Sequence, residues 1–144
     1  MRSFIQFVEQ KSEEEKNLQA TIGKLPKRHK ELLRNFTIKL TCKNTLNGDK
    51  NHIGFINKFD IEVAAPWNYG REFTFLHEVG HLVFEKLITD KQKSEWKKLA
   101  KFYKGKPKMN SEELFCMVFA NTYANHHVET YNDPKLVNFI KSLN

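Results

Sequence analysis

The spacing of apolar residues along this chain goes from helical to alternating and back to helical. Phe4, Ile5, Val8, Leu18 and Ile22 recur at loosely helical intervals around a wholly polar stretch, 10–17, and Gly23 and Pro26 punctuate the segment. A second short helix is predicted from Pro26 to Asn35, with Pro in its first turn and Leu32 and Leu33 as its buried side. At Phe36 the period becomes two: Phe36, Ile38, Leu40 and Cys42 alternate with Thr37, Lys39 and Thr41, as in a strand with one buried face. After a turn at Asn47-Gly48-Asp49, the runs His52–Asn57 and Ile61–Ala65 read as two more strands, closed by Pro66.

Helical spacing returns at about Arg71, where Phe73, Leu76, Gly80, Val83 or Phe84, and Leu87 fall on one stripe. A further helix starts at Thr89 or Asp90 as N-cap and is expected to bury Trp96, Leu99, Phe102 and Tyr103 before Gly105 and Pro107 break it. The next, from Asn110 or Ser111 to about Asn125, is apolar almost all round and should run through the core. Pro134 opens a last amphipathic helix to Leu143. These elements predict one α+β domain over 1–144, in which a small antiparallel sheet packs on helices. Residues 1–35 would be N-terminal helices, 36–66 the sheet, and 70–125 the helices that carry the chemistry.

Composition narrows this only slightly. The 144 residues suffice for a core without disulfides, and 40% hydrophobic content excludes a disordered chain. No apolar stretch reaches membrane-spanning length, the N-terminus does not read as a signal peptide, and Cys42 and Cys116 are expected to be reduced, so a cytoplasmic setting is expected. The net charge of +7 is concentrated between Lys86 and Lys108, where nine lysines fall. This is either a solvated face or a surface for an acidic partner or nucleic acid. It lacks the arginine and aromatic interleaving of a sequence reader, so direct nucleic-acid binding is not expected.

The candidate chemistry lies at His77-Glu78-Val79-Gly80-His81. Two histidines four residues apart on a helix share a face, so their imidazoles can hold one metal ion. Glu78, one step round from His77, can reach a water on that metal as general base. Zinc suits such a set because it accepts N and O ligands and keeps a position open for water. A third ligand cannot easily come from the same helix, since Glu85 lies roughly 12 Å beyond His77. Glu112 and Glu113, which open the apolar helix, are the candidates. Their competing explanation is capping, because Asn110 and Glu113 form a capping-box-like pair and first-turn acids favour the helix dipole.

The motif and its surroundings resemble the gluzincin metallopeptidases, in which two histidines of HExxH and a downstream helical Glu bind zinc. Arg71-Glu72-Phe73-Thr74-Phe75-Leu76 before His77 resembles the run that precedes the motif in the ImmA/IrrE family, as does the Gly54-Phe55 strand arrangement. Glu113-Leu114-Phe115-Cys116-Met117-Val118-Phe119-Ala120 is similar both to that family's downstream segment and to that of anthrax lethal factor-like and Pro-Pro endopeptidase proteins. The resemblance covers about residues 52–125 and implies a zincin-like catalytic domain with Glu113, not Glu112, as the third ligand. The chain departs from the lethal factor-like pattern at Met117, where a second Glu would stand, and at Lys106, where a Tyr would stand. The stabiliser of the oxyanion is therefore to be sought among Tyr103, Tyr123, His126 and His127, with Tyr103, the tyrosine nearest Lys106, as the catalytic candidate.

The expected protein is thus a metalloendopeptidase with one zinc per chain held by His77, His81 and Glu113, and Glu78 as base. The strand around Ile61–Ala65 is the expected cradle for an extended protein or peptide substrate. The ImmA/IrrE resemblance implies a regulatory protease whose substrate is a DNA-binding repressor; the lethal factor-like resemblance implies other proteins or phage components. The alternative is a non-catalytic zinc module that uses its lysine-rich surface to hold nucleic acid or an acidic protein.

Overall fold

In a computed structural model the described residues are 13–41, 54–56, 60–64, 69–103, 110–125 and 127–143. Among these residues six α-helices and three short strands follow one another: α1 (Glu13–Gly23), α2 (Lys27–Leu33), β1 (Thr37–Thr41), β2 (Gly54–Ile56), β3 (Asp60–Ala64), α3 (Tyr69–Lys86), α4 (Asp90–Lys101), α5 (Ser111–Tyr123) and α6 (Pro134–Lys141). A 3-10 turn, Glu129–Tyr131, separates the last two helices. The Phe4–Val8 part of the expected first helix, the turn at Asn47-Gly48-Asp49 and Cys42 lie outside the described residues.

The small antiparallel sheet packed on helices is not what forms. Helices dominate, and the three short strands make a mixed sheet in the order β1-β3-β2. β1 runs parallel to β3, pairing Thr37 with Asp60 through to Thr41 with Ala64, whereas β2 runs antiparallel to β3. Alternation of side chains has the same period in both kinds of pairing, so the sequence pattern could not reveal strand direction. The expected substrate cradle is corrected with it. β3 is the central strand, bonded on both sides, and has no free edge for a peptide.

The buried side chains from Leu18 to Leu143 form one cluster, with the α3–α5 pair at its centre. Trp96, Phe75, Phe115 and Phe119 are fully buried, and each such side chain contributes about 1.5–3 kcal/mol by leaving water. Phe115 meets Phe84 of α3 and Trp96 of α4 edge-on, at 5.1 and 5.4 Å between ring centroids. The Trp96 indole N–H donates to the Ser111 carbonyl at 2.7 Å, which fixes α4 against the start of α5. α4 opens on a complete capping box between Thr89 and Gln92 and ends at Lys101. Phe102 therefore falls just past the helix and is 81% exposed, not buried as its spacing suggested.

Four polar residues are buried among the described residues: Thr21, His29, Glu72 and Asn121. Glu72, on the first turn of α3, is buried and accepts hydrogen bonds from the Thr21 hydroxyl (2.9 Å), the Lys24 ammonium (3.2 Å) and the Asn125 backbone N–H (2.7 Å). It thereby joins α1, α3 and the residues that follow α5. His29 of α2 is buried against Phe119 and Tyr123. Its ring nitrogens have no hydrogen bond of good geometry, the Leu143 backbone offering only a weak one. Burial lowers its pKa to about 4, the Leu143 backbone opposing this and the Arg28 charge adding to it. No helix among the described residues is long and apolar enough to cross a membrane.

Candidate metal centre

His77 and His81 lie one turn apart near the middle of α3, and their rings stand nearly perpendicular with centroids 4.9 Å apart. Facing them is the first turn of α5. Asn110 caps that helix by accepting from the Glu113 backbone N–H at 2.8 Å. The Glu113 side chain turns towards α3: its Oε2 lies 3.0 Å from Nε2 of His77 and its Oε1 3.0 Å from Nε2 of His81. The Asn110–Glu113 cap therefore coexists with a carboxylate shared by two imidazoles.

The other ring nitrogens are also paired. Nδ1 of His77 lies 3.0 Å from Oε2 of Glu78, and Nδ1 of His81 lies 2.8 Å from Oε2 of Glu112. All four nitrogens thus face carboxylate oxygens, and a neutral imidazole can donate from only one of its two. A cation among Nε2 of His77, Nε2 of His81 and Glu113 resolves this, because each Nδ1–H then donates to its own glutamate, the usual orienting arrangement around a metal-bound histidine. The distances fit. Zinc bonds of about 2.1 Å at tetrahedral angles place neighbouring N and O donors about 3.4 Å apart, so the 3.0 Å contacts need little adjustment. Without a cation, burial works against protonating His77, but the hydrogen bonds and charges of Glu78 and Glu113 outweigh it and raise its pKa above the ordinary 6.5.

Glu113 is the more exposed acid, at 40% for its side chain, and Glu78 the more enclosed, at 13%. Beneath them the two helices nearly touch. A Cβ added at Gly80 would sit 3.0 Å from the Cα of Cys116, so only glycine lets α5 approach α3 this closely. The same approach brings Cys116 up to the pair, and the donor atoms of His77, His81 and Cys116 all lie within 4.8 Å of one another. Cys116 is fully buried and in no disulfide, and burial together with the charges of Glu113, Glu112, Glu78 and Glu85 pushes its thiol pKa well above the ordinary range.

The remaining candidates are placed elsewhere. The Tyr103 hydroxyl donates to the Thr130 carbonyl at 3.0 Å, and its ring lines a groove with Leu99, Asp133 and Leu136. The structure does not bring it to the imidazoles. Tyr123 packs on Phe119 and His29, His127 is exposed, and His126 lies outside the described residues. Sequence reasoning singled out Glu78 as a base and Glu112 as a ligand candidate but not their pairings with Nδ1 of His77 and of His81, and the second of these depends on how α5 packs on α3.

Compared with family models, with curated proteins and with solved structures, the chain matches none. The likeness to gluzincins therefore rests on the motif residues alone.

Proposed function

We propose that this protein is a zinc-dependent metalloendopeptidase, with His77, His81 and Glu113 as protein donors to one zinc per chain. One observation carries the reading: a single carboxylate faces both Nε2 atoms while separate carboxylates hold both Nδ1 atoms. When bound, zinc would supply a Lewis acid for the peptide carbonyl and lower the pKa of water to about 7. Glu78 takes the proton of the attacking water and passes it to the leaving amine. To do so its carboxylate leaves Nδ1 of His77, by rotation about its own side-chain bonds. Glu112 keeps the ring of His81 in one tautomer and one orientation.

The substrate is a protein or an extended peptide. Among the described residues β1 and β2 each pair only with β3, and of these two edge strands β2 packs against α3, so its outer edge is our candidate for pairing with a peptide backbone. A DNA-binding repressor is the substrate implied by the ImmA/IrrE resemblance. A reducing cytoplasm suits Cys116 as a free thiol.

The test is zinc content and peptide-library cleavage by the full chain and by Glu78→Gln. One zinc in both proteins, with cleavage by the first alone and its loss on chelation, is the expected result. Equal cleavage by Glu78→Gln overturns the choice of base. Zinc without cleavage, together with salt-sensitive binding of an acidic partner, leaves a non-catalytic module.

A further inference from the structure

Cys116 lies one turn beyond Glu112 and Glu113 on α5, on the side that meets α3. A buried cysteine in a helix contact is ordinarily a small apolar filler. This one differs in its neighbours. Among the described residues, His77, His81 and Cys116 are the group whose donor atoms come together within 4.8 Å, and the approach that produces this depends on a glycine inside the motif itself.

We propose that Cys116 is a fourth protein donor to the metal held by His77, His81 and Glu113, so that the resting centre is closed and water gains its place only when the sulfur leaves. The proposal rests on the zinc reading above. Zinc accepts sulfur at about 2.3 Å and nitrogen at about 2.1 Å, which sets N and S about 3.6 Å apart at tetrahedral angles. The donor group has to contract by roughly an ångström from its 4.8 Å spread. On binding, the thiol gives its proton to solvent as the metal–sulfur bond forms, with no change of oxidation state. A coordinating divalent cation holds a cysteine as its thiolate. A closed set of two imidazoles, a carboxylate and a thiolate is a storage form of the centre; substrate or water has to displace the sulfur before hydrolysis begins.

Cobalt substitution tests this without any assay of turnover. The full chain, Cys116→Ser and Cys116→Ala are loaded with Co²⁺, and absorption spectra and metal content are recorded. The expected result is one cobalt per chain, a near-ultraviolet thiolate-to-cobalt charge-transfer band in the wild type, its loss in both variants, and a fall in affinity of roughly tenfold or more. One cobalt bound with no such band overturns the proposal and leaves the two-histidine, one-glutamate centre standing. Folded wild type that binds no cobalt and no zinc removes both.

Discussion

Oε2 of Glu112 lies 2.8 Å from Nδ1 of His81, while its sequence neighbour Glu113 faces the Nε2 atoms of both histidines. Adjacent acids on one helix turn thus take different places, and substitution should separate them. Glu113→Ala is expected to abolish stoichiometric zinc binding. Glu112→Ala should keep the metal but bind it about 10–100-fold more weakly, because it removes an orienting bond and not a donor. Competition against a chelator, with elemental analysis of each variant, measures both; equal losses would mean the two acids share one role.

Gly80→Ala should destabilise the fold. Alanine gains about 1 kcal/mol in helix propensity, but overpacking a core contact costs about 1–3 kcal/mol. Here the new Cβ meets the Cα of Cys116 at 3.0 Å, a backbone atom that cannot step aside alone. A net loss of about 1 kcal/mol, read by thermal or urea denaturation, is expected, with weaker zinc binding as α5 moves off α3. A variant more stable than wild type would refute the close contact.

His29 predicts acid sensitivity. Its folded pKa of about 4 lies below the ordinary 6.5, so between these values the unfolded chain binds more protons than the folded one. Stability from this group is complete above pH 6.5, falls as pH drops towards 4 and levels off below that. The full loss corresponds to about 3 kcal/mol. Urea denaturation of metal-free wild type and His29→Leu at pH 7 and pH 4.5 checks it, since the difference between the two proteins cancels the opposite contribution of His77. If both lose the same stability, His29 is not responsible.

Glu72→Ala should cost about 3 kcal/mol, because it strips the acceptor from the Thr21 hydroxyl and the Asn125 N–H and leaves the Lys24 ammonium only the Asn125 side-chain oxygen. A drop in melting temperature without a change in zinc stoichiometry at low temperature is expected. An unchanged melting temperature would show that solvent replaces the carboxylate without loss.

The helical part of this architecture was legible because its signals are local. Thr89 and Asn110 announce the starts of α4 and α5, and a four-residue spacing on a helix puts His77 above His81 whatever surrounds them. The choice between Glu112 and Glu113 was not local. Both open the same helix and both suit its dipole, and only the rotation of α5 against α3 decides which carboxylate meets the Nε2 atoms. Strand direction was hidden for a similar reason, since period-two alternation is common to parallel and antiparallel pairs. His29, set among Lys27, Arg28 and Lys30, carried no apolar signal at all; its burial comes from Phe119 and Tyr123, far away in the chain.

The Glu72 clasp bears on how small a working version of this protein could be. It sits at the foot of the helix that carries both histidines and is held by α1 on one side and by the backbone after α5 on the other. A fragment cut to the segment from α3 to the end of α5 would leave that carboxylate without Thr21 and Lys24. Transplanting the candidate centre into another scaffold therefore calls for α1 as part of the graft, and libraries that shuffle α1 should lose stability first, with zinc stoichiometry kept in the variants that stay folded.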